Sequence, residues 1–208
     1  MSAIAELDHL VVAAKRLDDA VAHVEALPGM TMHPGGVHPM MATHNAVLGT
    51  GAECYLEAIA PQPGETAPRP RWFALDRAPT APRLVHWVAR IRGLREKRAL
   101  LPPENGPVIE GRRGAMRWLI CVPEDGSLPF DGCFPTFIDW DTEGEIPTRR
   151  MPESAMRLSR LEIRHPEAAR LQALLAPLIQ DARLDFVTDA LPSLAATYDG
   201  PEGPVVLR

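Results

Sequence analysis

Four ionisable side chains stand at the middle of short apolar runs, where an unpaired charge is costly to bury. His9 lies between Leu7 and Val11, Glu57 between Tyr55 and Ile59, His86 between Leu84 and Val88, and Asp139 two residues after Phe137. Strands alternate faces, so each shares a face with apolar neighbours. Two imidazoles and two carboxylates converging on a concave sheet would relieve their burial around a divalent cation. Nitrogen and oxygen donors of this kind suit Zn, Ni, Mn or Fe(II). Such an ion acts as a Lewis acid toward neighbouring oxygens of a small substrate. Glu57 or Asp139 could then move a proton as general base. The bland alternatives are core histidines, a solvent-facing Glu57 and an Asp139 that caps a turn. A second group, His38, His44 and Asn45, follows Gly35-Gly36, a turn signal. These three either line a binding site for an oxygen-rich molecule or bond to backbone within a structural loop.

The elements that must carry these residues can be read along the chain. Residues 6–14 read as a strand and 17–27 as a helix, with Asp18 and Asp19 as N-cap candidates and Pro28-Gly29 as the stop. Strands follow at 44–48 and 53–59. Six prolines within 61–83 predict a linker or extended crossing and not a packed element. The order then repeats, with strands at 83–91, 115–122 and 134–140 and a short helix over 93–101. A third pass begins at 158–164, continues through a helix with Leu171, Leu174, Leu175 and Leu178, and ends in strands at 184–188, 194–198 and 204–207. Residues 7–11 align with 84–88, placing His9 on His86, and Tyr55-Leu56-Glu57 aligns with Phe137-Ile138-Asp139. The third pass puts Arg160 opposite His9, so it reads as a structural addition without the polar site residue.

Composition narrows the classes. The 208 residues are 46% hydrophobic and 24% charged, enough for a packed core. A net charge of -5 argues against nucleic-acid binding. No apolar run approaches a membrane span, and MSAIAELDHL lacks the basic start of a signal peptide. Cys54, Cys121 and Cys133 form no C-x-x-C pair, which fits reduced thiols and a cytoplasmic location. Charge is uneven: residues 69–98 hold nine basic residues against Asp76 and Glu96. That segment is either a solvated face or an attractor of small anions.

Taken in order, LDHLVV (7–12), GGVHPMMATHNAVL (35–48), YLEAIAP (55–61), PTFIDW (135–140) and EIRHPEAARLQALL (162–175) resemble the vicinal oxygen chelate superfamily, and within it the bacterial glyoxalase-like domain proteins. The resemblance implies an α+β fold of paired βαβββ modules, whose curved mixed sheets form an open cup around a metal. The first module would span 1–60 and a second, shortened one 84–141, with the Pro-rich linker at 61–83 between them and a third partial βαβββ unit at 157–208. It assigns metal-ligand roles to His9 and Glu57, and by extension to His86 and Asp139, although Asp is shorter than the Glu expected of a glyoxalase-type second module. The implied function is a metal-dependent lyase or isomerase acting on a small oxygen-rich metabolite. The alternatives are an extradiol-type Fe(II) dioxygenase and a non-catalytic binding or resistance module. Sheets of this kind often pair their edges, so a homodimer is an expectation.

Overall fold

The computed structural model describes residues 3–140, 147–152 and 154–208; residue 141, the expected end of the second module, lies outside them. The first pass is β1 (Ala5–Ala13), α1 (Leu17–Glu25), β2 (His33–His38), β3 (Thr43–Gly49) and β4 (Tyr55–Pro61). The second is β5 (Arg83–Ile91), the single turn α2 (Leu94–Lys97), β6 (Val108–Arg113), β7 (Met116–Cys121) and β8 (Thr136–Trp140). All eight strands form one sheet in the order β2-β3-β4-β1-β5-β8-β7-β6, a fold of paired βαβββ modules. In each pass the first strand runs parallel to the last, and the two passes join where β1 and β5 pair antiparallel.

The β1–β5 junction reveals the repeat in its register. Leu7 pairs with Ala89 and His9 with Val88, which leaves Asp8 as an extra residue in β1. Val11 pairs with His86 and Val12 with Leu84, which leaves Val85 extra in β5. The two bulges are equivalent, so His9 and His86 occupy matching positions, as the sequence alignment has them. The end strands differ from that alignment. Val11 pairs with Glu57, and its counterpart Val88 pairs with Thr136. The second-module match of Glu57 is therefore Thr136, and Asp139 lies three residues beyond it.

Apolar residues cover both faces of this sheet. Leu7, Leu10 and Val12 point outward into the main core with Ala20 and Val24 of α1, while Val11, Ala13, Val88 and Ile138 face the cup. Full burial of each large aliphatic side chain stabilises the fold by about 1.5–3 kcal/mol. Helix α1 begins after Arg16 without a side-chain cap, so Asp18 and Asp19 sit in its first turn and serve its dipole instead.

The third pass comprises β9 (Arg157–His165), α3 (Ala168–Leu175), β10 (Leu184–Thr188), β11 (Ser193–Gly200) and β12 (Gly203–Leu207). It repeats the element order but not the pairing. Its sheet runs β10-β9-β11-β12, with the strand after the helix parallel to β9. It packs on the outer face of the first sheet, where Leu161, Ile163, Ala196 and Tyr198 join the main core.

Two stretches differ from the sequence reading. Gly35 and Gly36 lie within β2, at a bulge, and not in a turn. A Cβ on Gly35 would come within 2.2 Å of Asn45 Oδ1, and one on Gly36 within 3.2 Å of the Arg113 side chain. The glycines are thus explained by what passes over them. The Pro-rich segment is also packed: its 3₁₀ turn Trp72–Arg77 buries Trp72, Phe73 and Leu75 against the cup. Proline prevents regular pairing there but does not prevent the apolar side chains between the prolines from docking.

Candidate functional site

The β1 bulge places consecutive residues, Asp8 and His9, in one polar network. Asp8 is 1% exposed, and its Oδ1 lies 2.6 Å from His9 Nδ1. With a carboxylate as acceptor, Nδ1 carries a ring proton, and Nε2 is turned toward Glu57. The other oxygen, Oδ2, accepts from Trp140 Nε1 at 3.0 Å and lies 3.5 Å from Arg90 Nη1. The buried carboxylate is thereby compensated. The His9 ring stacks on Tyr55 with centroids 4.4 Å apart.

Glu57, on β4, faces this imidazole, with its Oε2 3.7 Å from His9 Nε2. Its other oxygen accepts from Asn45 Nδ2 at 2.5 Å. Burial pushes the Glu57 carboxyl above its ordinary range, opposed by His9, Asn45 and Arg113. Asn45 Oδ1 in turn accepts from Arg113 Nη1 at 3.3 Å, and the same nitrogen donates to His38 Nε2 at 3.3 Å. His38 is completed by Thr43, 3.2 Å from its Nδ1. Burial, then Arg113, lowers the His38 pKa to about 3, so it is a neutral acceptor. Arg113 comes from β6 while His38 and Asn45 come from β2 and β3, so the guanidinium bridges the two edges of the sheet and nearly closes the cup.

The space between these residues, its open mouth included, is about 470 Å³. Its polar floor is His9, Glu57, Asn45, His38 and Arg113; Trp72, Trp118 and Trp140 wall it with Phe73 and Ile138. An apolar chamber with a few convergent polar groups has the form of a small-molecule site.

The structure brings together four of the expected site residues: His9, Glu57, His38 and Asn45. It places the other three elsewhere. His86 is fully buried, and its Nδ1 bonds to the Gly132 carbonyl at 3.0 Å. Its Nε2 meets the Thr136 hydroxyl at 2.9 Å and accepts from the Thr136 N–H at 3.1 Å. Both ring nitrogens are engaged, and burial lowers its pKa to about 3. Asp139 points opposite to Ile138 and Trp140, and its Oδ2 accepts from Gly93 and Leu94 N–H at 2.8 and 3.0 Å. It caps the α2 turn, on the face of the sheet away from the cup. His44 alternates with Thr43 and Asn45 and lies on the side away from the cup.

These placements decide how a metal would fit. His86 has no free nitrogen, Asp139 is on the wrong face, and Thr136 stands where a second carboxylate would. Among the described residues no three His, Cys, Asp or Glu side chains are grouped to hold an ion. His9 and Glu57 offer two donors beside a guanidinium, fewer than the three protein ligands of a catalytic zinc site. A four-donor cage therefore does not fit these residues.

Sequence reasoning missed Asp8 and Arg113. Asp8 was legible as the neighbour of a strand histidine, but alternation puts neighbours on opposite faces and only the bulge overrides it. Arg113 had no signal, because β6 was not read as a strand.

Comparison with known proteins agrees with this architecture. The family model described as Glyoxalase-like domain matches residues 7–179. No curated protein matches. Among solved structures, a hypothetical protein from Staphylococcus aureus superposes with a TM-score of 0.64 at 13% identity, covering 91% of this chain and 88% of its own. Methylmalonyl-CoA epimerase from Mycobacterium tuberculosis gives 0.42 at 19% identity, covering 67% of this chain and 90% of its own. A single-substitution variant of the Streptomyces coelicolor methylmalonyl-CoA epimerase, in complex with 2-nitronate-propionyl-CoA, gives 0.43 at 18%, covering 68% and 98%. With the matched region covering most of its length and the two-module sheet in place, the chain belongs to the glyoxalase-like domain family of the vicinal oxygen chelate superfamily.

Proposed function

We propose that the cup binds a small oxygen-rich anion and moves a proton on it, as a glyoxalase-type isomerase or lyase does. The observation that carries this reading is the buried line Asp8–His9–Glu57–Asn45–Arg113. It sets a carboxyl of raised pKa beside an imidazole oriented by Asp8 and a guanidinium. Arg113 has unused N–H groups to receive a carboxylate or a carbonyl oxygen. Glu57, as carboxylate, takes a proton from the carbon next to that carbonyl. The C–H electron pair moves onto the carbonyl oxygen, and Arg113 stabilises the resulting oxyanion. Glu57 then returns the proton to carbon. Its raised pKa makes it a stronger base than a solvated carboxylate. His9, steadied by Asp8, holds or relays the proton within the pair. The metal-dependent form of the reading rests on family resemblance, and the donor set does not support it. The dioxygenase alternative needs two free histidines, and His86 is committed to Gly132 and Thr136.

The test is solvent exchange. Chelator-treated protein is incubated in D₂O with 2-oxo acids, 2-hydroxy acids and small dicarbonyls, and C–H exchange is followed by NMR. Wild type is expected to exchange one of them, and Glu57→Gln to slow it by about 10²–10⁴-fold. Exchange that vanishes on chelation and returns with one divalent metal would restore the metal-dependent reading. A ligand held tightly in the cup with no exchange would assign the cup to binding alone.

A further inference from the structure

A second cleft opens where the cup sheet meets the C-terminal sheet, and the proton-transfer reading makes no use of it. Its volume is about 410 Å³. Four arginines line it: Arg77, Arg83, Arg164 and Arg208. Asp131 is the single acid among its described lining residues. The structure thereby sorts the basic segment 69–98. Arg71, Arg90 and Arg95 are spent on Asp76, Glu6 and Glu110. Arg77 and Arg83 are exposed, have no acid partner among the described residues, and both face the cleft. Arg164 is held in place at the rim by Glu162 and Asp189.

A second, independent feature marks the same place. Among the described residues, five other than glycine have positive φ: Ala42, Phe73, Ala74, Phe130 and Asp131. Four of the five belong to two turns that frame this cleft, one before β5 and one before β8. Phe73, Ala74 and Asp131 line it directly. Left-handed backbone at bulky residues persists only when the surroundings enforce it, and it concentrates at ligand clamps. Here the Ala74 N–H is held by the Gly126 carbonyl at 2.9 Å. Leu84, Leu128 and Leu194 supply an apolar wall beside the charges. Phe73 lines both this cleft and the cup, so the two cavities share a side chain.

We propose that this cleft is a second ligand site, for a phosphorylated small molecule with an apolar or aromatic body. Guanidinium forks match phosphate oxygens, and unpaired arginines in a concave site attract multiply charged anions. The volume lies within the usual range for small-molecule pockets, which leaves room for a body as well as a phosphate. Because Phe73 is common to both cavities, occupancy of the cleft bears on the wall of the cup.

Isothermal titration of the full chain with adenosine triphosphate and with inorganic pyrophosphate tests the assignment. The proteins compared are wild type, the Arg77→Gln/Arg83→Gln double variant and Glu57→Gln. Adenosine triphosphate is expected to bind wild type at one site, more tightly than pyrophosphate. Loss of two charge-assisted contacts should weaken it by about tenfold or more, and Glu57→Gln should leave it unchanged. Both arginines are exposed, so circular dichroism is expected to show a folded double variant. Equal affinity of the double variant and wild type would overturn the proposal, as would no binding of either probe at millimolar concentration. Weakening by Glu57→Gln with no effect of the arginine changes would move the anion to the cup. Since the cleft and the cup respond to different variants, failure of one reading leaves the other standing.

Discussion

The sealed state of His86 predicts a pH dependence of stability that a cavity-facing ligand would not show. Its ordinary pKa is 6.5 and the folded value is about 3, lowered first by burial. Because the folded form resists protonation, its contribution is fully present above pH 6.5 and is lost as pH falls toward 3. Between pH 7.5 and 5.5 the unfolded histidine goes from mostly neutral to about nine-tenths protonated, while folded His86 stays neutral. The loss over that interval is about 1.4 kcal/mol, from 1.36 kcal/mol per proton per pH unit and a mean difference of about half a proton across the interval. His38, also lowered to about 3, adds a loss of the same sign and size. Glu57, raised by burial, works the other way, because its folded form takes up a proton before the unfolded chain does. Comparing wild type with His86→Gln at both pH values cancels the terms that the two proteins share. The variant is expected to be less stable at pH 7.5, since glutamine cannot satisfy both Gly132 and Thr136, by about 1–3 kcal/mol. Its further loss on acidification should be about 1.4 kcal/mol smaller than that of wild type. Urea unfolding followed by tryptophan fluorescence gives both numbers. Identical pH slopes for the two proteins would refute the reasoning, as would an NMR titration of the His86 ring near 6.5.

Two further outcomes follow from the cup. Arg113→Met should weaken an anionic ligand of the cup by about 1.5–3 kcal/mol, measured by isothermal titration, while a neutral analogue of the same shape loses little. Equal losses for both would remove Arg113 as the anion receptor. Gly35→Ala drives a methyl group into Asn45 Oδ1 and should cost about 1–3 kcal/mol of stability. It should also disturb Glu57 through Asn45, so a variant with unchanged stability and unchanged ligand affinity would show that the close approach is not real.

The repeat, and the strands that bring His9 and Glu57 together, were legible in the sequence by itself. Apolar alternation around His9 and Glu57 marked strands with one polar residue on a covered face, and that pattern is local. The matching run around His86 followed for the same reason. Fold class came from element order and resemblance, which also depend on short-range pattern. Only the tertiary structure decided what those residues face. Whether His86 meets a cavity or Thr136 depends on which strand lies beside β5 and in what register, and pairing between residues 88 and 136 leaves no local trace. Asp139 turned out to cap α2 because a register three residues away from the aligned one carries Thr136 into the Glu57 position. Asp8 joined His9 through a bulge that strict alternation forbids. Arg113 reached Asn45 because the sheet curves until its edge strands meet, a property of the whole sheet that no single strand contains.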